Sequence, residues 1–332
     1  MLFELNLQLF ATQTTDMNTQ GNDLSPEMKT YYDMRLIDEA APALVHEQFG
    51  QKRPIPANGG KTIEFRKFDS LPDALTPLTE GVTPEGNKLN VTAITATVKQ
   101  YGDYITQSDV LELTTIDNTI LEATKILGRQ AGSTMDAVVR NALAAGTNYL
   151  AAQNKGEDPE DVIANGDVIT IDDVKKAVAI LKSNNTPSIN GDFIGIIHPM
   201  NAYHLMNDPK WEEYHKYTTS ENLYEGEIGK IAGVRFVETT NATVYKNASG
   251  KAYGTIIMGE GAYGVTEITG GGLQTIIKQK GSAGTSDPLD QRSSVGWKGM
   301  KVAKILVPQY MINILSKCDD ENVIANVDVT AG

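Results

Sequence analysis

The segment Gly259–Gly264, GEGAYG, has the spacing G-x-G-x-x-G and follows an apolar, strand-like run. In a dinucleotide fold that spacing lets backbone approach a pyrophosphate held at the N-terminus of the next helix. Here the next residues are VTEITGGGLQTIIKQ, which alternate like a strand and are broken by glycines. The spacing therefore predicts a glycine-rich turn between strands and no cofactor. Four histidines are present, His46, His198, His204 and His215. HEQFG, from His46, lacks the second histidine of H-E-x-x-H. His198 and His204, with Asp208 beyond, come nearest to a metal set in IIHPMNAYHLMND, but the two histidines are too far apart in sequence to share one helical turn. The simpler reading has His198 closing a strand and Pro199 opening a helix, with no metal. Cys318 is the single cysteine. It is read as a small, half-buried residue of a strand-rich end rather than a reactive thiol. No G-x-S-x-G elbow, Walker loop or C-x-x-C pair occurs. The N-x-[ST] triplets at Asn90, Asn184, Asn241 and Asn247 mean nothing without a secretory route. No catalytic, cofactor-binding or metal constellation is expected, and an enzyme has nothing to rest on.

Composition narrows the remaining classes. The chain has 332 residues, 40% hydrophobic and 21% charged, which predicts a buried core in one large domain or two ordinary ones. A net charge of -13 argues against a surface built to grip nucleic-acid phosphates, though not against enclosing nucleic acid loosely. One cysteine excludes an intramolecular disulfide and suits a reducing cytoplasm. The start, MLFELNLQLFATQTTD, lacks a basic n-region and carries Glu4, so no secretory signal is expected, and Met1 fits a chain from which no prodomain has been removed. No apolar run is long enough to span a bilayer.

The elements follow from local pattern. Residues 1–24 read as an extended arm. Ser25-Pro26-Glu27 starts a helix that Pro42 kinks or splits. Ile63 and Phe65 mark a strand. Leu89, Val91 and Ala93 begin another, whose apolar phase shifts to Ile94, Ala96 and Val98, predicting a bulge or bend. Ser108 and Asp109 start a short helix. Asp117 or Asn118 caps a long one from Thr119 to about Ala145, roughly 40 Å at 1.5 Å per residue. Gly128 and Gly132 on it predict close backbone approach by another element. NKGEDPEDVIANGD reads as a surface connection and domain boundary. An αβ region follows, with Asp172 capping a helix through Val174, Val178 and Leu181, an apolar strand at Phe193–Ile197, and strands at Arg235–Glu238 and Tyr253–Met258. GSAGTSDP (Gly281–Pro288) is a loop, and KVAKILV and YMINILS are closing strands separated by proline.

Between the two hairpin strands lies FDSLPDALTPLTEGVTPEGNKLNV, residues 68–91, with three prolines, two glycines and no period. Such long structureless spans are uncommon in compact domains and usually functional, and a two-stranded ribbon alone is marginal in water. Its packing surface is expected to come from another copy of the chain. Leu71, Leu75, Leu78 and Val82 are the candidate contacts. Lys88, near the tip, is the obvious lysine.

Several stretches, in order, carry a resemblance: YGDYITQSDVLELT before the long helix, GEIGKIAGVRFVETTNA (Gly226–Ala242), MGEGAYG, and DPLDQRSSVGWKGMKVAKILVPQYMINI. Together with the opening LNLQLFA, they resemble the major capsid proteins of tailed bacteriophages, in a podophage-type branch, from about Leu24 to Leu315. The resemblance implies an α+β phage-head fold shared with encapsulins and the herpesvirus capsid floor. It implies an N-terminal arm and helix (residues 1–50), an extended loop (51–107), a peripheral domain with a long spine helix and C-terminal strands (108–165 and 291–332), and an axial αβ domain (166–290). It also implies a non-enzymatic, self-assembling subunit of an icosahedral shell. Hexamers and pentamers of the chain would enclose double-stranded DNA without sequence-specific binding, with possible portal, scaffolding or decoration partners and no membrane. The shell would be assembled in the host bacterial cytoplasm and found in the virion. Some relatives cross-link the loop through a Lys-Asn isopeptide bond; Lys88 is either that lysine or an exposed solubilising charge. The alternatives are an encapsulin-like compartment shell, separable by neighbouring terminase and portal genes, and an enzyme of unknown class.

Overall fold

The computed structural model describes residues 26–68, 71, 73–78, 80–81, 83, 86–115, 119–211, 229–247, 250–282 and 287–318. The expected arm, Val82, the caps Asp117 and Asn118, His215 and residues 283–286 of the expected loop lie outside them. In chain order the first elements are α1 (Pro26–Ala40), β1 (Gln51–Lys52), β2 (Thr62–Phe68), β3 (Val91–Thr97), β4 (Lys99–Ser108), α2 (Asp109–Thr114) and α3 (Thr119–Ala144). Next come β5 (Tyr149–Ala151), α4 (Pro159–Asn165), α5 (Ile171–Ser183), β6 (Phe193–Ile197), α6 (Pro199–Met206), β7 (Lys230–Ile231) and β8 (Val234–Glu238). The chain closes with β9 (Val244–Asn247), β10 (Gly250–Met258), β11 (Tyr263–Thr266), β12 (Gln274–Lys278), β13 (Arg292–Ile305) and β14 (Met311–Ser316).

The chain forms two compact units. One comprises Met1–Pro42, Tyr101–Gly132 and Leu273–Gly299; the other comprises Ala43–Gln100, Ser133–Gly272 and Met300–Gly332. In the first, α1 ends where expected, as a 3-10 turn over Ala41–Ala43 around Pro42. Leu36 and Ala40 on α1 are buried, as are Leu127 and Ala131 on α3. The glycines of α3 explain the packing distance. A methyl group at Gly132 would sit 2.4 Å from the Ala40 carbonyl oxygen, and one at Gly128 would sit 2.9 Å from that of Leu36. Only glycine admits α1 this closely. Gly132→Ala sets a helix-propensity gain of about 1 kcal/mol against overpacking of about 1–3 kcal/mol. Because the obstacle is backbone, the clash wins. A net loss of about 1–2 kcal/mol is expected in urea unfolding, and a gain in stability would refute the close approach.

The first half of β13 pairs antiparallel with β12, from Gln274↔Lys298 to Lys278↔Ser294. Ser108 caps α2 by accepting the Leu111 N–H at 3.3 Å, as its sequence predicts.

The second unit is built on a seven-stranded sheet, ordered β5-β14-β10-β6-β8-β7, with β9 also paired to β10. Every residue of β6 is buried. Phe193 and Ile197 join a cluster with Val174, Val178 and Leu181 of α5 and Leu205 of α6. Ile194 and Ile196 join a separate cluster with Val139 and Leu143 of α3. Helices thus cover both faces, which is why FIGII reads as a continuous apolar run rather than an alternating one.

Three local expectations are corrected. The cap of α5 is Thr170, not Asp172: its hydroxyl accepts the Asp173 N–H while the Asp173 carboxyl accepts the Thr170 N–H, a closed capping box. NKGEDPEDVIANGD is more than a surface connection, because it folds as α4 and buries Val162 and Ile163 against Ala151, Ala252 and Leu315. Of the expected bulge or bend, the bulge is absent from β3, and the strand breaks only after it, at Val98, before β4. Pairing with β2 runs without a slip from Thr62↔Thr97 to Phe68↔Val91. The apolar phase shift instead marks a change of face, since residues 91 and 93 and residues 94 and 96 lie on opposite sides of β3.

His198 ends β6 and caps α6, its Nδ1 accepting the Met200 N–H at 3.2 Å. Burial, and to a lesser degree the charge of Lys251, push its pKa below the ordinary value of about 6.5. The folded state then binds fewer protons here than the unfolded chain. The resulting stability is present above the unfolded pKa and is lost as pH falls through the folded one. His198→Asn keeps a capping oxygen without that titration, so the melting temperature of the variant should fall less than that of the parent between pH 7 and 5. Parallel curves would refute the assignment.

Candidate assembly interface

The hairpin β2–β3 has a root and a tip of different character. At the root, Phe65 is buried with Ala96, Leu306 and Val307. Its ring lies so close to Gly264 that a methyl group there would meet it at 2.7 Å. One face of the ribbon is therefore fastened to the chain's own body. The expectation of support from outside the molecule is thus corrected for the root and remains for the tip.

At the tip the picture reverses. Leu71 is 54% exposed, Leu75 86%, Leu78 78%, Leu89 62% and Val91 47%. Lys88 is also exposed, and Val82 lies outside the described residues. Leu75 donates its N–H to the Asp73 carbonyl at 3.0 Å, a local turn that leaves the leucine side chains outward. Among the described residues of the tip, Asp73 and Glu80 accompany these apolar groups against Lys88, so the tip is both apolar and acidic. Exposed apolar groups this concentrated make the tip a candidate interaction surface. Leu89 and Val91 were legible as strand residues but not as contacts. For Val91, its place on the face of β3 opposite half-buried Ile94 and buried Ala96 was the available signal.

The residues weighed for other chemistry take structural places. GEGAYG is the turn from β10 to β11, with no helix after it. His204 Nε2 lies 3.1 Å from Sγ of Cys318, which is buried rather than half-buried. Asp208 accepts the N–H groups of Ile171 and Lys210, each at 3.0 Å. Among the described residues no group of three or more His, Cys, Asp or Glu could hold a metal ion, and no helix is long and apolar enough to cross a membrane. His46 is wholly buried, its Nδ1 2.8 Å from Oδ2 of Asp136, which also accepts from Asn241 Nδ2 at 2.8 Å. The Tyr263 hydroxyl donates to the His46 carbonyl, and burial raises that phenol's pKa. This network joins the segment after α1 to α3, the β8–β9 turn and β11.

Comparison with known proteins agrees with this architecture. Residues 80–283, more than half of the chain, match the phage capsid protein family. No curated protein matches. The fold is similar to the capsid structure of cyanophage P-SCSP1u, with a TM-score of 0.63 and 16% identity over 83% of this chain and 88% of that one. It is similar to the capsid of Ralstonia phage GP4, at 0.60 and 13% over 96% and 100%. It is also similar to the cyanophage Pam1 capsid, at 0.60 and 15% over 94% and 99%. The mixed α+β fold is thus that of phage capsids. The chain belongs to the phage capsid protein family, and it is a structural protein of a phage capsid whose place is in the virion.

Proposed function

We propose that copies of this chain join into hexamers and pentamers that close an icosahedral shell around packaged double-stranded DNA, each hairpin tip lying across a neighbouring copy. The observation that carries this reading is the tip itself: Leu71, Leu75 and Leu78 stand exposed on a ribbon whose root is buried. Burying apolar area is worth ~25 cal/mol per Å², and each subunit repeats the contact. Head-to-tail contacts of this kind close into rings by rotation, and many modest contacts add to a stable shell. In this assignment residues 1–50 form the arm and first helix, 51–107 the extended loop, 108–165 with 291–332 the peripheral domain, and 166–290 the axial domain.

The charge of -13 supports loose enclosure: a lining that gripped phosphates would slow DNA moving in and out. Portal, scaffolding and decoration proteins are the further partners, and assembly takes place in the bacterial cytoplasm. The chain acts without catalysing a reaction. Lys88 serves as an exposed solubilising charge, so boiling shells in denaturant should give monomer-sized bands on a gel; a ladder would instead make it a cross-link donor. Negative-stain microscopy and sedimentation of the purified protein test the whole reading. Uniform shells or rings are expected. A solitary subunit at every concentration, its hairpin covered by its own body, would overturn it.

A further inference from the structure

A tip that carries leucines and unengaged carboxylates fits an acceptor that is apolar and basic. At the tip, the Leu75 N–H bonded to the Asp73 carbonyl holds acid and leucine together in one tight turn. Neither Asp73 nor Glu80 has a side-chain partner among the described residues. A matching socket lies at the hairpin root. A cavity of about 50 Å³ is lined there by Phe65, Ile94 and Leu306 together with Arg53, Arg66 and Lys67, and no described acid lines it. The Arg66 guanidinium is held by Glu64 at 3.0 Å, but the side chains of Arg53 and Lys67 have no partner among the described residues. Gln51, on the same lining, is in register with Gly264, and Gly264 with Lys304. Residues in register share a face of the sheet, so Lys304, exposed and likewise without a partner among the described residues, adds a third cation on this side. Larger cavities lack this combination. One of about 840 Å³ is lined by Asp192 and Glu260, and one of about 580 Å³ by Asp172, Asp173 and Asp208. A third, of about 220 Å³, is lined by Lys278 and Lys280, which already have partners. Like charges across a contact oppose docking, and opposite charges select the partner.

We propose that the cavity at the hairpin root receives Leu75 from the tip of a second copy, with Asp73 facing Arg53 and Lys67. This rests on the reading that the tip docks on a neighbour, and it names where. Leu75 is 86% exposed, so the cavity is not filled by the tip of its own chain. The room suits the methyl end of one aliphatic side chain, and a carboxylate beside it meets two unengaged cations. Tip and root are different surfaces, so the contact runs head to tail and passes from copy to copy around a ring.

Disulfide trapping tests the assignment directly, because the only native cysteine is the buried Cys318. Particles carrying both Leu75→Cys and Arg53→Cys are oxidised and run on a non-reducing denaturing gel. A ladder of dimers and higher bands is expected from the pair. Monomer is expected from either single variant, and from Leu75→Cys with Lys280→Cys. A ladder from either single variant or from the Lys280 pair places the tip elsewhere and overturns the proposal, as does monomer from the Arg53 pair in well-formed particles. If the Arg53 pair does not assemble, a charge exchange decides. Arg53→Asp should lower particle yield on the order of tenfold, and adding Asp73→Arg should restore it. Unchanged yield after the first step, or no recovery after the second, overturns the docking assignment. Arg53→Asp particles that form at the parent's yield but hold less DNA would give these cations to nucleic acid, which also overturns it. Failure of the unmodified protein to assemble overturns instead the reading on which it rests.

Discussion

Asp136→Ala lowers the stability of the subunit by about 3–5 kcal/mol, the loss expected when one partner of a buried polar pair is removed. Both side chains of the His46–Asp136 pair are fully buried. The carboxyl accepts the His46 backbone N–H at 2.8 Å through Oδ1, and Oδ2 lies 2.8 Å from both His46 Nδ1 and Asn241 Nδ2. Removal orphans several polar groups at once, each costing about 1–3 kcal/mol when left without water or partner. His46 Nε2 already has no hydrogen-bond partner among the described residues, so the site holds no slack to absorb another loss. The measurement is urea unfolding of unassembled subunit followed by circular dichroism. A loss below about 1 kcal/mol would mean that the network is decorative.

Leu75→Glu together with Leu78→Glu abolishes assembly and leaves the fold of the subunit unchanged. The two side chains are among the most exposed large apolar ones of the described residues, so their replacement should shift unfolding by no more than about 0.5 kcal/mol. In an assembled contact, however, carboxylates would replace apolar side chains in the buried interface, and the penalty recurs at every copy of it. Sedimentation should show the parent as large particles or rings and the variant as dispersed subunits with the parent's melting temperature. Assembly at the parent's yield would sink the role given to the tip. A large drop in melting temperature would show that the leucines support their own subunit after all.

The sequence made the main architecture legible where chemistry is local. Helix starts at Pro26, Ser108 and Pro199 depend on residues within a turn of one another, and so they read correctly. Gly128 and Gly132 announced a close approach because only a missing side chain permits it; that the visitor is α1, through Leu36 and Ala40, is a tertiary fact. GEGAYG could be read as a turn because the following residues alternate like a strand. The hairpin with its long tip was also legible from local pattern, and the order of the motifs carried the family resemblance.

Other features depend on partners far along the chain. The cap of α5 is an exception, since Thr170 and Asp173 have the local spacing of a capping box and could have been preferred to Asp172 from sequence. NKGEDPEDVIANGD looked like a surface link because its polar residues outnumber Val162 and Ile163, yet β10 and β14 offer those two a place in the core. His46 and Asp136 lie 90 residues apart, and no spacing rule joins them. The hairpin divides the two kinds of information most clearly. Composition and spacing determined that residues 68–91 carry apolar groups that their own strands cannot bury. Only the tertiary structure decided that Phe65 and Ala96 are covered by Leu306 and Val307 while Leu75 and Leu78 are not, because burial is set by what lies across from a side chain and not by what lies beside it in sequence.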